Sequence, residues 1–490
     1  MINYLKRKSL YFSLVVIALL PACKIQQEAV KTTISIPETF SDNANRVFID
    51  SLRNDSIVPG TNWKTFFTDP MLAKLIDTAL VRNFDVQTAY GRIMQQQAEL
   101  RWTKGIRLPD LGLNLSAGTR KFGDYTIDGV GNYDTQFSPN LTEKQQLPNP
   151  VPDFYAGLFS SWEIDLWGKL KNRKKAAVAR YLASEQGRNL VLTNVIAETA
   201  KSYYSLMLLD EEIKIIRESI VLQENALLSV QAQKETGKTN QLAIELISAQ
   251  VLGAKALLAE AEQAVISEEN RLNFLLGRYP QKIERAVFDR TKSITMIPAT
   301  GIPGELLENR PDIKAAEYEL MARNADVKSA KAAFYPALTL NANLGYQSFR
   351  AAFLFETPVS IAYNVAGGLV TPLLNRRTLK AELMQNKASQ RVAYIQYEKV
   401  IMGSFTEVYE LILLREKMKE IQNLKGEQVD ILKMSIETSK ALFLSGRASY
   451  LEIITAQEHY LQTQMELLRV FDKQNNNNVQ LYRALGGGWQ

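Results

Sequence analysis

The chain is poor in the residues that most catalytic chemistry needs. It has one histidine, His459, in 490 residues. That excludes a histidine metal cluster, and on its predicted helix His459 reads as a surface or interface residue. It has one cysteine, Cys23, so no disulfide can close within the chain. No Gly-x4-Gly-Lys-Ser/Thr phosphate loop occurs, and no Gly-x-Ser-x-Gly nucleophile elbow. Asp and Glu are scattered along helical stretches at surface spacing, with no paired catalytic set. Charge of one sign is also scarce. The formal net charge is +6, with Lys and Arg interspersed among Asp and Glu. This describes a solvated surface and gives no reason to expect nucleic acid as a partner.

Proline is missing where its absence means most. Residues 169–236 contain none and a single glycine, Gly187; residues 376–445 contain none, with only Gly403 and Gly426. At 1.5 Å per residue, about 68 helical residues extend roughly 100 Å. No globular core of this size needs such a rod. Long apolar runs are missing too. Outside the N-terminus no stretch reads as a transmembrane helix, so other membrane contact must come from strands or from the surface.

The N-terminus is a targeting segment. Lys6, Arg7 and Lys8 form a positive n-region. Residues 10–20 form an apolar stretch too short for a stable membrane anchor. It ends in Leu20-Pro21-Ala22-Cys23, which resembles a bacterial lipobox cut before the cysteine; Pro21 is an unusual occupant. The match implies a covalent lipid on Cys23, where several acyl chains would attach the protein firmly. No other cofactor is expected.

What the chain has in abundance is repetition. Pro109-Asp110-Leu111-Gly112-Leu113-Asn114 matches Pro336-Ala337-Leu338-Thr339-Leu340-Asn341. Ile247-Ser248-Ala249-Gln250 matches Ile454-Thr455-Ala456-Gln457, and Leu276-Gly277 matches Leu485-Gly486. The order is kept while the offset drifts, as loops of unequal length would produce. The predicted organisation is a signal peptide (1–22), a lipid-anchored segment (23–62), a first repeat (63–277), a connector (278–303) and a second repeat (304–486). A unit that cannot close its own core closes it against a neighbour.

Each repeat carries two alternating segments, near 109–119 and 154–165 and near 337–347 and 358–370. Leu111, Leu113, Leu115 and Ala117 interleave with Gly112, Asn114, Ser116 and Gly118. Leu338, Leu340, Ala342 and Leu344 interleave with Thr339, Asn341, Asn343 and Gly345. Val359, Ile361, Tyr363 and Val365 form the apolar set of the last. Period-two runs of about ten residues suit either a sheet with one wet face or a tilted transmembrane strand. Small polar residues on the second face suit a water-filled lumen. Four strands cannot close a barrel, and an open edge is not viable in lipid. The chain must then borrow strands from copies of itself. The first connecting loop, 123–152, is long and rich in Gly, Pro, Asn and Asp.

The helices are predicted at 169–236, 240–276, 376–445 and 449–485. Leu206, Leu209, Ile213, Ile216 and Ile220 step by three and four as in a coiled-coil seam. The 240–276 helix is rich in alanine, which allows close approach. Gly237 and Gly446 mark tight turns between helices, each followed by an Asn or Ser cap. The run Asn475–Asn478 falls inside a helical pattern with no evident role.

The chain resembles the outer membrane factor (TolC-like) family, and within it the lipidated efflux lipoproteins. The resemblance rests on Trp63…Phe66-Phe67…Asp69-Pro70, on Trp162-Glu163-Ile164-Asp165-Leu166-Trp167-Gly168-Lys169, on Arg310-Pro311-Asp312 and on Thr371-Pro372-Leu373-Leu374-Asn375. It covers almost all of the mature chain. It implies a mainly α fold in which a periplasmic α-barrel of long helical hairpins joins a trimeric twelve-stranded β-barrel. It also implies a homotrimer in the outer membrane that receives cargo from an inner-membrane pump through a periplasmic adaptor. The adaptor would dock at the turns around Gly237 and Gly446. The same end would hold a constriction, often acidic in the family. Here those positions are Ser248 and Thr455. Glu245 and Glu452, about one turn away, could supply the charge with Lys238 and Arg447 as latch partners; the same residues also fit a set of solvated charges beside a turn. The rival to a pore is a lipid-anchored periplasmic coiled-coil scaffold, and an enzyme is disfavoured by the missing catalytic sets.

Overall fold

A computed structural model of the chain describes residues 62–237, 239–289, 309–372 and 374–489. The signal peptide, Cys23, the N-terminal segment, Lys238 and most of the connector lie outside these residues. The described chain is mainly helical with one four-stranded sheet.

It opens with three helices: α1 (Trp63–Phe66), α2 (Pro70–Arg82) and α3 (Phe84–Gly105). Each starts where a short polar side chain caps free N–H groups. The Asn62 Oδ1 accepts from Lys64 N at 2.9 Å, Asp69 Oδ1 from Met71 N at 2.8 Å, and Asn83 Oδ1 from Asp85 N at 2.8 Å. Then come β1 (Asp110–Arg120), α4 (Ile127–Thr135), β2 (Val151–Ile164), α5 (Lys169–Glu235) and α6 (Gln241–Leu275). The second half runs α7 (Pro311–Ala332), β3 (Ala337–Ser348), β4 (Ile361–Val370), α8 (Arg376–Leu444) and α9 (Tyr450–Ala484). From α3 and from α7 onward the two halves repeat one order: helix, two strands, two long helices. At 67 and 69 residues, α5 and α8 are each about 100 Å long.

The sheet order is β1-β2-β3-β4, all antiparallel. The first two strands come from one repeat and the last two from the other, so β2 and β3 join the repeats. The quoted tryptophan motif forms the corner from β2 into α5. Asp165 accepts from Leu170 N and Lys171 N at 3.1 and 2.7 Å, capping the rod. Gly168 turns the chain at φ +76°, and Lys169 pairs with Glu163 at 2.8 Å.

The core lies where helices from both repeats meet. Phe66 stacks on Tyr482 with centroids 4.2 Å apart, and Phe67 meets both rings edge-on. Buried Tyr203 donates to Asp69 Oδ2 at 2.6 Å. Arg310, its side chain 7% exposed, bonds Asp312, Glu407 and the Ala484 carbonyl, tying the start of α7 to α8 and α9. Burial acts against its charge, but the two carboxylates outweigh it and hold the guanidinium protonated. The same Glu407 also pairs with Arg483. Along the rods, Leu208, Ile215, Ile216 and Ile220 of α5 pack with Ala254 and Ala261 of α6 and with Met465, Leu468 and Phe471 of α9.

Three expectations are corrected. The long first loop contains α4, capped by Thr126 Oγ1 and pinned by Asn132 to the Pro148 carbonyl. Val359 is not in β4. It sits in a turn closed by Ser360 N to Glu356 O and Ile361 N to Pro358 O. Finally, α6 does contain an 18-residue window with mean hydropathy 1.6, as apolar as a membrane span. It nevertheless runs beside α5, bridged by Arg217–Glu262 and Lys255–Glu224 ion pairs that hydrocarbon would not host.

Candidate functional site

The candidate site is a surface, not a pocket: the two faces of the sheet and the rods that continue from it. The pairing register sorts side chains by face. One cross-sheet row reads Leu113, Leu158, Leu344, Tyr363; the next reads Leu115, Ala156, Tyr346, Ile361. The opposite face reads Gly112, Phe159, Asn343, Asn364, then Asp110, Ser161, Asn341, Ala366. The leucines of β1 are about two-thirds exposed, as are Val365 and Leu369 of β4. A soluble sheet would bury that face. Its exposure across all four strands is the pattern of a wall with oil on one side and water on the other.

The polar face is kept low by glycine. A Cβ on Gly345 would come within 2.4 Å of Gly157 Cα, so the central strands approach at a point where no side chain fits. At Gly112 the Phe159 ring lies over the bare backbone, where an added Cβ would meet it at 2.4 Å. Phe159 is a large apolar residue that sequence alternation assigns to the wet face. The glycine opposite it was the available signal.

Aromatic residues flank the apolar band at both ends. Beside the helices, Trp167 stacks on Tyr335 at 5.0 Å and donates to the Pro336 carbonyl, while Trp162 donates to the Arg107 carbonyl. At the other end Tyr346 meets Phe355 edge-on at 5.6 Å. Phe154 to Ile164 spans about 33 Å of strand, or about 25 Å along the normal at a usual barrel tilt, the height of an outer-membrane apolar band. Among the described residues the outer edges of β1 and β4 carry no strand partner.

At the far end of the rods the two hairpin turns lie together. Gly237 and Gly446 adopt φ +73° and +71°, as tight turns require. Asn240 and Ser449 cap the helices that follow. Val230, Ile247 and Val251 pack against Tyr450, Ile453 and Ile454, and Gln250 donates to the Ile454 carbonyl at 3.5 Å. Ser248 is half-buried beside this cluster; Glu245, Arg447, Glu452 and Thr455 are exposed. Among the described residues Arg447 pairs with neither Glu245 nor Glu452. The Ser449 hydroxyl donates to Glu452 at 2.5 Å, a capping box that draws the carboxylate to its own helix end and lowers its pKa. Glu245 accepts from Gln241 at 3.2 Å.

A wall with one oily and one watery face, continued by 100 Å helices, defines an outer-membrane channel with a helical tunnel. The family model for outer membrane efflux proteins matches residues 75–278 and 302–487, one block in each repeat. The chain belongs to the outer membrane efflux protein family. Over 446 residues it is 30% identical to the probable outer membrane lipoprotein SilC of Salmonella typhimurium, covering 90% of this chain and 92% of that one. It is 28% identical to the cation efflux system protein CusC of Escherichia coli O6:H1, covering 96% and 97%. A crystal structure of CusC superposes with TM-score 0.79 at 26% identity, over 92% of this chain and 97% of that one. The open MtrE channel of Neisseria gonorrhoeae, at 24% identity and TM-score 0.80 over 93% and 96%, shares the fold. The protein is an outer-membrane efflux channel of the kind that serves tripartite export systems.

Proposed function

We propose that three copies of this chain close into one passive duct, each supplying four strands to a twelve-stranded barrel and four rods to the tunnel beneath it. The observation that carries this reading is the sheet itself. It has one apolar and one polar exposed face, and two edges whose backbone groups only further strands can satisfy in lipid. The rods support it. Met384, Ile395, Met402, Leu424, Ile431 and Leu442 leave apolar side chains exposed along α8, as a face awaiting a neighbouring copy would. The test is conductance. Detergent-purified trimers fused to planar lipid bilayers should give steady unitary currents. Silent trimers would favour the pore-free scaffold.

Cys23 is the lipid attachment point in this reading, and Cys23→Ser should abolish labelling by a fatty-acid probe. The turns at Gly237 and Gly446 are the docking points for a periplasmic adaptor, which links the duct to an inner-membrane pump. Lys238, Glu245, Ser248, Arg447, Glu452 and Thr455 surround the constriction. Its narrowest ring is built from hydroxyls, with Glu245 the carboxylate free of the capping box. The chain performs no catalysis of its own. Related ducts are named for cations, solvents, toluene and pyoverdine. One scaffold serving such different cargo supports selection upstream, in the pump.

A further inference from the structure

The run Asn475–Asn478 sits in the middle of α9, where asparagine is a poor helix former. Its place in the packing is set by two bonds to α5. Ser205 Oγ donates to Asp472 Oδ1 at 2.8 Å, and Arg483 Nη1 to Asn194 Oδ1 at 3.5 Å. The two contacts lie eleven residues apart on each helix and run in opposite directions. That fixes an antiparallel register in which Ser202 falls opposite Asn475 and Thr199 opposite Asn478.

This stretch is buried and polar at once. Thr199 and Ser202 are fully buried, Asn475 is 4% exposed and Asn477 3%. Among the described residues, Thr199 Oγ1, Ser202 Oγ and the Oδ1 atoms of Asn475, Asn476 and Asn477 find no hydrogen-bond partner. The amide nitrogens of Asn476 and Asn477 do find partners, Asp472 Oδ2 at 3.1 Å and the Leu411 carbonyl at 3.0 Å. These bonds hold Asn476 to its own helix and Asn477 toward α8, which leaves Asn475 as the asparagine opposite Ser202. Buried acceptors of this kind are costly unless something donates to them. The hydroxyls opposite could donate, but no direct bond forms between them and these oxygens. A water between the helices would accept from a hydroxyl on α5 and donate to an amide oxygen on α9, in keeping with the two to four polar partners that buried water takes.

We infer that the α5–α9 seam holds buried water between Ser202 and Asn475, a wet patch inside an otherwise apolar joint in which Val479 and Tyr482 pack with Ile196, Ala200 and Tyr203. The seam on the tip side of it is dry: Leu208, Ile215, Ile216 and Ile220 pack there against Met465, Leu468 and Phe471. Water-bridged contacts can exchange partners without breaking a close-packed interface. A bridged patch of this kind gives the joint a local freedom that its close-packed apolar neighbours lack.

The test uses the full-length protein in its assembled state. A density map at about 2 Å should show peaks within hydrogen-bond distance of both Ser202 Oγ and Asn475 Oδ1. Direct Ser202–Asn475 contact with no peak between them would overturn the inference. So would a peak with five or six oxygen neighbours that gains scattering when potassium is replaced by thallium, since that is a cation site. A Ser202→Ala, Asn475→Leu double variant gives a second reading. Filling a wet seam with apolar groups should raise the thermal midpoint by several degrees and reduce efflux. A lowered midpoint with retained trimer would mean that the polar atoms already satisfy each other, and the inference would fail.

Discussion

Gly446 shows how a single residue can carry an element's geometry without making contacts. Its φ is +71°, and an added Cβ would meet no atom within 4 Å. Any penalty for a side chain there is therefore backbone strain alone, about 1–2 kcal/mol and more for a β-branched residue. Gly446→Val should weaken adaptor capture and export, while Gly446→Asn should be tolerated. Equal export from both variants would show that the turn does not matter. Gly345 is the opposite case, because its missing Cβ is a matter of space. Gly345→Ala should prevent barrel closure, read as loss of heat-resistant trimer on gels, since the clash is with Gly157 backbone. Glu452 adds a pH dependence. The Ser449 hydroxyl holds its folded pKa below the usual glutamate value. Its cap is thus complete above that usual value and is lost as pH falls through the lowered one. Hydrogen-exchange protection of the first turn of α9, taken relative to the intrinsic rate at each pH, should fall on acidification, and Glu452→Gln should flatten that response.

At the scale of elements, the two sheet faces make opposite predictions from neighbouring positions. Leu113→Arg places a charge on the apolar face, where it costs about 2–4 kcal/mol at the bilayer midplane. It should block membrane insertion. Asn343→Arg, on the other face, should leave assembly intact and change conductance and ion preference. If both variants insert equally well, the face assignment is wrong. These strands were legible because period-two alternation survives in every one of them. The rods were legible because proline is absent within them and glycine stands at their ends. Helix α4 was not legible: Gly129 and Gly131 lie inside it, and its support comes from Thr126, Asn132 and the Pro148 carbonyl rather than from periodicity. Nor was the Ser449–Glu452 cap, because a charge near a turn can bind its own helix end as readily as a distant arginine. The cluster of Arg285 with Asp210 and Glu269, at 2.6 Å to each, joins residues from three distant segments. No local pattern announces such a meeting.

At the scale of the whole molecule, duplication explains most of the architecture. Each repeat supplies a strand pair and a helical hairpin, and neither closes anything alone. Joined at β2–β3 and at the aromatic core around Phe66, Tyr203 and Tyr482, the two make one section of a wall. The apolar sheet face, the unpaired edges of β1 and β4 and the exposed stripe of α8 are the places where that wall is unfinished. A single-particle density map of the detergent-solubilised protein tests this most directly. The account predicts three copies around one axis, twelve strands hydrogen-bonded in a closed ring, and α5 and α8 continuing beneath as an unbroken tunnel. A particle containing one chain, with β1 and β4 paired to each other or left free in micelle, would contradict it.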